Sequence, residues 1–391
     1  MAFGLQTRRT TCAVLALAMA AWSTIAFDPN PAIAVDADCG VHVLPSLDTS
    51  GASPHGELLA MTADGIYVGA SDDAAGRQHA TYWIGGVAHR VPIDLVDSGL
   101  LDVNDSHVAV GDGFDPTLDR WRGFVFDIDS GVVTWLPGIG GYWASARRIN
   151  EHGVAVGDGG SPNGTAHPLR WDAPYTSAQR LPKVGGDGGH SGAWAVGIND
   201  HGDIVGSTVR GRLTPDRRDY GGVPAQEHWG DLDAIAWQPG PAGLEEAGPA
   251  SHTWAVNNDG RSVGFADVDE LQTTVAAYWS LDDGRLHLMG SVVPGMAQSY
   301  ALGVSAGGWA TGAVETIGID EADRHAFVWT GSGDLLMLPG LAGAWTDNTS
   351  NAHGVDDARD EVVGMLTVDG ISRPTVWRCA SELGVAAGDA S

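Results

Sequence analysis

The sequence predicts an all-β fold assembled from repeats, and its composition, its periodicity and its short recurring motifs all favour that class. Glycine accounts for 56 of the 391 residues and proline for 19, and both residue types weaken helices. No long segment places apolar residues at helical spacing between capping residues. Short apolar runs between turn residues recur instead, which is typical of β-strands joined by tight turns.

The first recurring motif is an apolar residue, an asparagine or a substitute, a polar turn, and an apolar pair that ends in glycine. Its clearest copies are INEHGVAVG at 149–157, INDHGDIVG at 198–206 and VNNDGRSVG at 256–264. The motif predicts two strands joined by a short turn. Seven copies follow one another at intervals of 42 to 58 residues, and they end at Gly69, Gly111, Gly157, Gly206, Gly264, Gly312 and Gly364.

The second motif is a short strand that ends in an aromatic residue, usually tryptophan, as in HATYW at 79–83, HPLRW at 167–171 and HAFVW at 325–329. A turn follows, and then a short strand that ends on a pair such as Leu136-Pro137. Each copy therefore supplies four strands. Seven four-strand units of this period predict a seven-bladed β-propeller, with six or eight blades as alternatives.

The two ends of the chain favour closure of the ring by the N-terminal strand. The seventh copy stops at Trp377-Arg378-Cys379 without its fourth strand, whereas a spare fourth strand stands at Val41 to Pro45. Such a pairing removes both free sheet edges. Cys39 and Cys379 flank the position of the missing hairpin turn, so we expect a disulfide between them, with two free thiols as the alternative.

The motifs HAFVW, HATYW and INDHGDIVG resemble the HAF repeats of bacterial proteins thought to be extracellular. The resemblance covers residues 41 to 379 and is fairly specific in the third, fourth and sixth copies but degenerate in the first, second and seventh. Phe126 replaces the tryptophan of the second copy, and Ser305 replaces the asparagine of the sixth. It implies export and a repeated β fold, and it carries over no catalytic residue.

The N-terminal segment has the pattern of a secretory signal, because Arg8 and Arg9 precede an apolar run and small residues follow at Ala32 to Ala34. We therefore expect a signal peptide over residues 1–34, one propeller domain over 35–380, and a disordered tail over 381–391. The net charge of −28 argues against nucleic acid and anionic membranes as partners. No later run is long enough to span a membrane, and a monomer is expected.

Function is expected on the face that carries the long, variable connections, because the repeated residues suit a scaffold. Aromatic residues near the start of the first strand of a blade would either stack on a ligand at the channel mouth or pack the blade tops: Tyr142, Trp143, Trp194, Tyr300 and Trp345. Four arginines in the long connection 207–232 would either bind a carboxylate or phosphate or pair with acidic loops: Arg210, Arg212, Arg217 and Arg218.

The expected role is a non-catalytic module that binds an extracellular glycan, peptide or protein, since no catalytic motif is present. The alternative is a hydrolase or lyase that acts on a polymer at the channel mouth, which two carboxylates about 5–10 Å apart would favour. No cofactor is predicted. Acidic loops around residues such as Asp73 and Asp115 leave Ca²⁺ as an alternative, although no loop has a complete calcium motif.

Overall fold

The computed structural model describes residues 39–47, 55–183, 192–209, 232–238, 243–249, 251–268, 273–282, 285–290, 296–316, 324–341 and 349–379. Every regular element in these ranges is a β-strand. The predicted signal peptide over residues 1–34 and the predicted tail over 381–391 lie outside the described residues. No helix in the described part of the chain has the length and apolar character needed to cross a membrane.

The described strands form seven four-stranded antiparallel sheets. Six of them follow the chain, with the first strand innermost and the fourth outermost. The first sheet contains β2 (Gly56–Met61), β3 (Tyr67–Asp72), β4 (Gln78–Ile84) and β5 (Val87–Arg90). The second contains β6 (Val96–Val103), β7 (Val108–Asp115), β8 (Arg120–Asp127) and β9 (Val132–Trp135). The third contains β10 (Ala144–Ile149), β11 (Ala155–Gly160), β12 (Ala166–Trp171) and β13 (Gln179–Arg180).

The next three sheets keep this order. The fourth contains β14 (Ala193–Ile198), β15 (Ile204–Val209), β16 (Leu232–Gln238) and β17 (Gly243–Pro249). The fifth contains β18 (Ser251–Val256), β19 (Arg261–Val268), β20 (Thr273–Ser280) and β21 (Arg285–Leu288). The sixth contains β22 (Met296–Val304), β23 (Ala310–Thr316), β24 (Arg324–Trp329) and β25 (Leu336–Met337).

The seventh sheet draws its strands from both ends of the chain. It contains β26 (Ser350–Asp356), β27 (Glu361–Val368), β28 (Ile371–Arg378) and, at its outer edge, β1 (Gly40–Val43). Val41 lies opposite Trp377 and Val43 opposite Thr375 in the antiparallel register. The expected disulfide is confirmed, since Cys39 is bonded to Cys379 just beyond these paired strands.

The hydrophobic core lies between neighbouring sheets. Each sheet packs on the next one along the chain, and β2 packs against β27 and β28 of the seventh sheet. Leu169 and Trp171 of the third sheet, for example, share one cluster with Val110 and Val125 of the second. The fold is therefore held by a series of similar interfaces, as in other repeat architectures.

The tryptophan and Leu-Pro motifs meet across these interfaces. The indole Nε1 of Trp171 donates to the carbonyl oxygen of Pro137 in the preceding sheet at 2.9 Å, and Trp377 donates to Pro339 at the same distance. Trp83 donates to Pro45 at 2.7 Å, so the N-terminal segment makes the same contact with the first sheet. Both motifs are thus parts of one contact between sheets.

Replacing Trp171 with phenylalanine is expected to lower the free energy of unfolding by about 1 kcal/mol more than replacing Trp329 does, as measured by chemical denaturation. Both changes shrink a buried ring. Only Trp171 loses a bond to another sheet, because Trp329 donates within its own turn, to Gly333 at 3.2 Å. Equal losses would contradict a stabilising role for the bond between sheets.

The turn asparagines also join neighbouring sheets. Each side-chain Nδ2 donates to a main-chain carbonyl in the corresponding turn of the next sheet. The pairs, all at 3.0 Å, are Asn104 with Asn150, Asn150 with Asn199, Asn199 with Asn257, and Asn257 with Ser305. Between the seventh and first sheets, the Arg359 guanidinium donates to the carbonyl of Ala63 at 3.0 Å. The turns thus form a hydrogen-bonded belt on one face of the molecule.

Candidate ligand-binding site

The innermost strand of every sheet contains a β-bulge. In β10, Ala146 lies opposite Gly157 and Arg148 opposite Val156, so Arg147 is the extra residue inserted between these two register pairs. A bulge of this kind re-aims the side chain of the extra residue. The same register shift recurs in the other six inner strands, and the seven bulged residues, here called the bulge ring, are Leu59, Leu101, Arg147, Val196, Trp254, Leu302 and His353.

The repeated glycines make this bulge sterically possible. The residue before each bulge pairs with the glycine that ends the first sequence motif, as Ala146 does with Gly157. A Cβ atom on Gly157 would collide with the carbonyl oxygen of Ser145, and one on Gly69 would collide with that of Glu57. Glycine is therefore needed where the two backbones approach closely.

The bulge ring lines a central cavity of about 410 Å³. Every inner strand thus contributes at least one side chain to the same space. The volume falls in the range of small-molecule sites. The other described residues that line the cavity are Arg148, Phe265, Thr274, Gln298, Tyr300, Glu315, Arg324 and Asn351.

The bulge ring varies in chemistry although the surrounding residues repeat. Four members are aliphatic, and the others are arginine, tryptophan and histidine. Each stands three residues before the turn asparagine or its substitute. Sequence reasoning sought variation in the loops and missed this position, although its variation between copies is visible in the aligned motifs.

One wall of the cavity contains two consecutive arginines, Arg147 and Arg148. The Arg147 Nε donates to Asp158 Oδ1 at 2.7 Å, and the Trp143 Nε1 donates to the second oxygen of that buried carboxylate at 2.8 Å. The Arg148 Nη1 donates to the carbonyl oxygens of Arg147 at 2.9 Å and of Leu101 at 3.2 Å. Burial raises the pKa of the neighbouring Asp102 to about 6, although the positive charge of Arg148 opposes that shift.

The sixth sheet contributes a carboxylate, that of Glu315, which already accepts hydrogen bonds from two side chains. The Arg324 Nε donates to Glu315 Oε1 at 2.8 Å, and the Tyr300 hydroxyl donates to the same oxygen at 3.1 Å. Burial raises the pKa of Tyr300. Glu315 therefore serves as an ion-pair partner within the wall.

His353 is held neutral at the cavity. Burial, together with the nearby charges of Arg148 and Arg324, lowers its pKa to about 4. Its Nε2 lies 3.9 Å from Glu57 Oε2, beyond hydrogen-bond distance. Burial in turn raises the pKa of Glu57. The imidazole therefore faces the cavity as a neutral polar group at pH 7.

The predicted aromatic residues have different surroundings. Tyr300 lines the cavity. Trp194 is only 6% exposed and packs with Ala166 and Val196, and Trp143 packs against that cluster. Both tryptophans thus pack within the fold, and the prediction that they bind a ligand stays a prediction. Tyr142 is 71% exposed, and Trp345 lies outside the described residues.

The predicted arginine site cannot be placed on the structure. Arg210, Arg212, Arg217 and Arg218 all lie outside the described residues, so this binding site stays a prediction. The cationic groups that the structure does bring together are instead on inner and neighbouring strands: Arg147, Arg148 and Arg324.

In two of the acidic loops, the carboxylate already accepts hydrogen bonds from the protein itself. Asp73 accepts from the Arg77 Nε at 3.0 Å, and Asp115 accepts from the Arg122 Nη1 at 3.0 Å and from two backbone amides. Across the described ranges, no group of three or more His, Cys, Asp or Glu side chains is placed to hold a metal ion. The calcium alternative thus gains no support from these loops.

No protein-family model matches the chain, and no curated protein matches it. Among solved structures, the β-propeller domain of the Trilobed protease from Pyrococcus furiosus is 11% identical, with a TM-score of 0.51, over 83% of this chain and 95% of that one. An acylaminoacyl peptidase in complex with Z-Gly-Gly-Phe-chloromethyl ketone is also 11% identical, with a TM-score of 0.50, over 83% of this chain and 51% of that one. The fold is a β-propeller. At this identity the likeness extends to the fold alone, and the chain spans about half the length of the peptidase.

Proposed function

We propose that this β-propeller is an exported, non-catalytic binding module that holds a glycan, peptide or protein segment at its central cavity. The observation that carries the proposal is the bulge ring, in which a repeated scaffold directs seven chemically varied side chains into one space. Selection for stability alone would favour the same residue at equivalent positions, as it does for the buried tryptophans. Variation at a common position is what a binding surface requires.

The proposal includes a ring of seven blades that the N-terminal strand closes. Its support is the set of seven four-stranded sheets among the described residues and the pairing of β1 with β28. The Trp83–Pro45 bond adds to that support, because it repeats at the junction of the chain ends the contact made at other interfaces. The proposed membership of the HAF-repeat family rests on the sequence motifs.

Export and a monomeric state are parts of the same proposal. The disulfide between Cys39 and Cys379 supports export, since such bonds persist mainly in oxidising compartments. Six of the seven described outer strands have four residues or fewer, so little unpaired sheet edge is left for association, which supports a monomer.

The arrangement of acids supports binding over polymer hydrolysis. Among the described lining residues, Glu315 is the one carboxylate, and Arg324 and Tyr300 engage it. Glycoside chemistry requires two carboxyl groups on either side of the bond to be broken. The experiment that tests the function is a glycan and peptide array probed with the mature protein, with turnover measured on every hit. Turnover that persists in Trp254→Ala and in Glu315→Gln would contradict a cavity-based binding role.

Trp254→Ala is expected to weaken the affinity for a ligand from the array by about tenfold or more, measured by titration calorimetry. The indole presents the largest apolar surface of the bulge ring, so its loss removes stacking area from the cavity. Trp135→Ala is the matched control, because Trp135 is 37% exposed on the outer strand β9 and does not line the cavity. Equal effects of the two changes would place the ligand elsewhere.

A further inference from the structure

We infer that the central cavity binds an organic carboxylate and that Arg148 forms the ion pair with it. The inference rests on the proposed function and deepens it, since it names the chemical class of the ligand. The ligand is a carboxylate attached to an apolar group, which can come from a free apolar acid or from the C-terminus of a peptide.

The first support is the incomplete pairing of Arg148. Its described hydrogen bonds go to two backbone carbonyls. The Asp102 carboxylate, whose charge acts on Arg148, uses its Oδ2 to accept from the Ile149 amide at 2.9 Å. A buried guanidinium has five donors, and a carboxylate matches them better than carbonyl oxygens do. The described bonds of Arg148 therefore leave donors that a ligand carboxylate can take, and these bonds place no carboxylate oxygen directly on the guanidinium.

The second support is the electrostatic potential along this wall. Burial lowers the pKa of Arg148, the negative charge of Asp102 opposes that shift, and the positive charge of Arg147 adds to it. The pKa of His353 is depressed partly by Arg148 and Arg324. The positive charges of the arginines thus lower the pKa of a neighbouring group in the cavity, although the whole chain carries a net charge of −28. This difference in sign favours an anion inside the cavity rather than on the outer surface.

The third support is a set of polar atoms that have no hydrogen-bond partner although they are buried. They are Trp254 Nε1, Asn351 Oδ1 and His353 Nε2, and all three residues line the cavity. Leaving such groups unpaired costs stability, so their presence together in one cavity points to a ligand. A ligand with its own donor and acceptor would satisfy them.

The apolar lining indicates which kind of group the ligand carries beside its carboxylate. Leu59, Leu101, Val196 and Leu302 present aliphatic side chains to the same space, and Phe265 adds an aromatic ring. A hydrated sugar acid would gain little from these groups. An aliphatic or aromatic group beside the carboxylate would bury apolar area against them.

The test compares acids with amides of the same shape. The mature protein is titrated at pH 7 with hexanoate and hexanamide, and with the tripeptide Ala-Ala-Leu carrying a free or an amidated C-terminus. We expect the acid of at least one pair to bind about tenfold or more tightly than its amide. Preference for the tripeptide acid over hexanoate would identify a peptide C-terminus as the source, and the reverse would identify a free acid.

Arg148→Gln is expected to remove about tenfold or more of the affinity for the acid and to leave that for the amide unchanged. Arg148→Lys keeps the charge and should retain part of the preference, which guards against loss of folding in the glutamine variant. Arg170→Gln is the matched control, because Arg170 pairs with Asp172 outside the cavity lining. It should change neither affinity.

Equal binding of acid and amide, or an acid preference that survives in Arg148→Gln, would overturn the inference. A neutral array ligand that loses affinity in Trp254→Ala would at the same time preserve the proposed function. If no array ligand responds to Trp254→Ala, the proposed function itself fails. The two failures are therefore distinguishable.

Discussion

Replacing Cys379 with serine is expected to lower the free energy of unfolding by about 2–5 kcal/mol. The bond joins residues 340 positions apart, so its removal frees nearly the whole described chain in the unfolded state. The larger the loop that a cross-link closes, the more conformational entropy the unfolded state regains when the link is removed. The measurement is chemical denaturation of the mature protein and the variant under oxidising conditions.

The same bond fixes the outer strand of the seventh sheet. β1 contributes only four residues and is held through its pairing with β28. In the serine variant we expect faster hydrogen exchange in Gly40–Val43, with little change in the inner strand β10. Reduction of the wild-type protein should reproduce the effect, and reductant should have no further effect on the variant. Free Cys39 and Cys379 thiols in exported protein, detected by mass spectrometry, would contradict this account.

The recurring elements could be predicted because each motif has a local physical meaning. Glycine at a fixed place indicates a close backbone approach, and an asparagine before a polar turn indicates turn chemistry. The pairing of Cys39 with Cys379 followed from counting strands at the two chain ends, and the structure confirms the bond. These predictions needed only the order of residues along the chain.

The partners of the repeated residues could not be predicted, because they lie on other sheets. The Asn150 side chain does accept from the Val154 amide of its own turn at 2.9 Å, as turn chemistry requires. Its Nδ2 donates to Asn199, which lies one whole repeat further along the chain. Motif analysis within one repeat does not reveal such a bond.

The bulge ring was missed for a different reason. A strand pattern assumes strict alternation of side chains between the two faces of a sheet. The bulge breaks that alternation and turns Arg147 towards the cavity instead. The register that reveals it requires the pairing of Ala146 with Gly157 and of Arg148 with Val156, and the sequence alone does not provide that pairing.

Asn150→Ala is expected to lower the free energy of unfolding by about 3–4 kcal/mol, the second large effect in this molecule. The side chain is only 5% exposed. Its loss removes the bonds from the Val154 and His152 amides and the bond to the Asn199 carbonyl. The partners left behind are the buried Asn199 carbonyl and two partly buried amides, and leaving them unpaired costs more than the net value of the bonds themselves.

Two further variants separate the turn from the belt between sheets. Asn150→Asp keeps the acceptor for the Val154 amide but places a carboxylate oxygen against the Asn199 carbonyl, so we expect a loss of about 2 kcal/mol or more from the inter-sheet contact alone. Asn163→Ala is the matched control, because Asn163 is exposed and bonds only within its own loop, to Ser161 and Thr165. Its expected loss is below about 1 kcal/mol. If Asn150→Asp were as stable as the wild type, the asparagine belt would contribute nothing between sheets, and the turns would stabilise each blade separately.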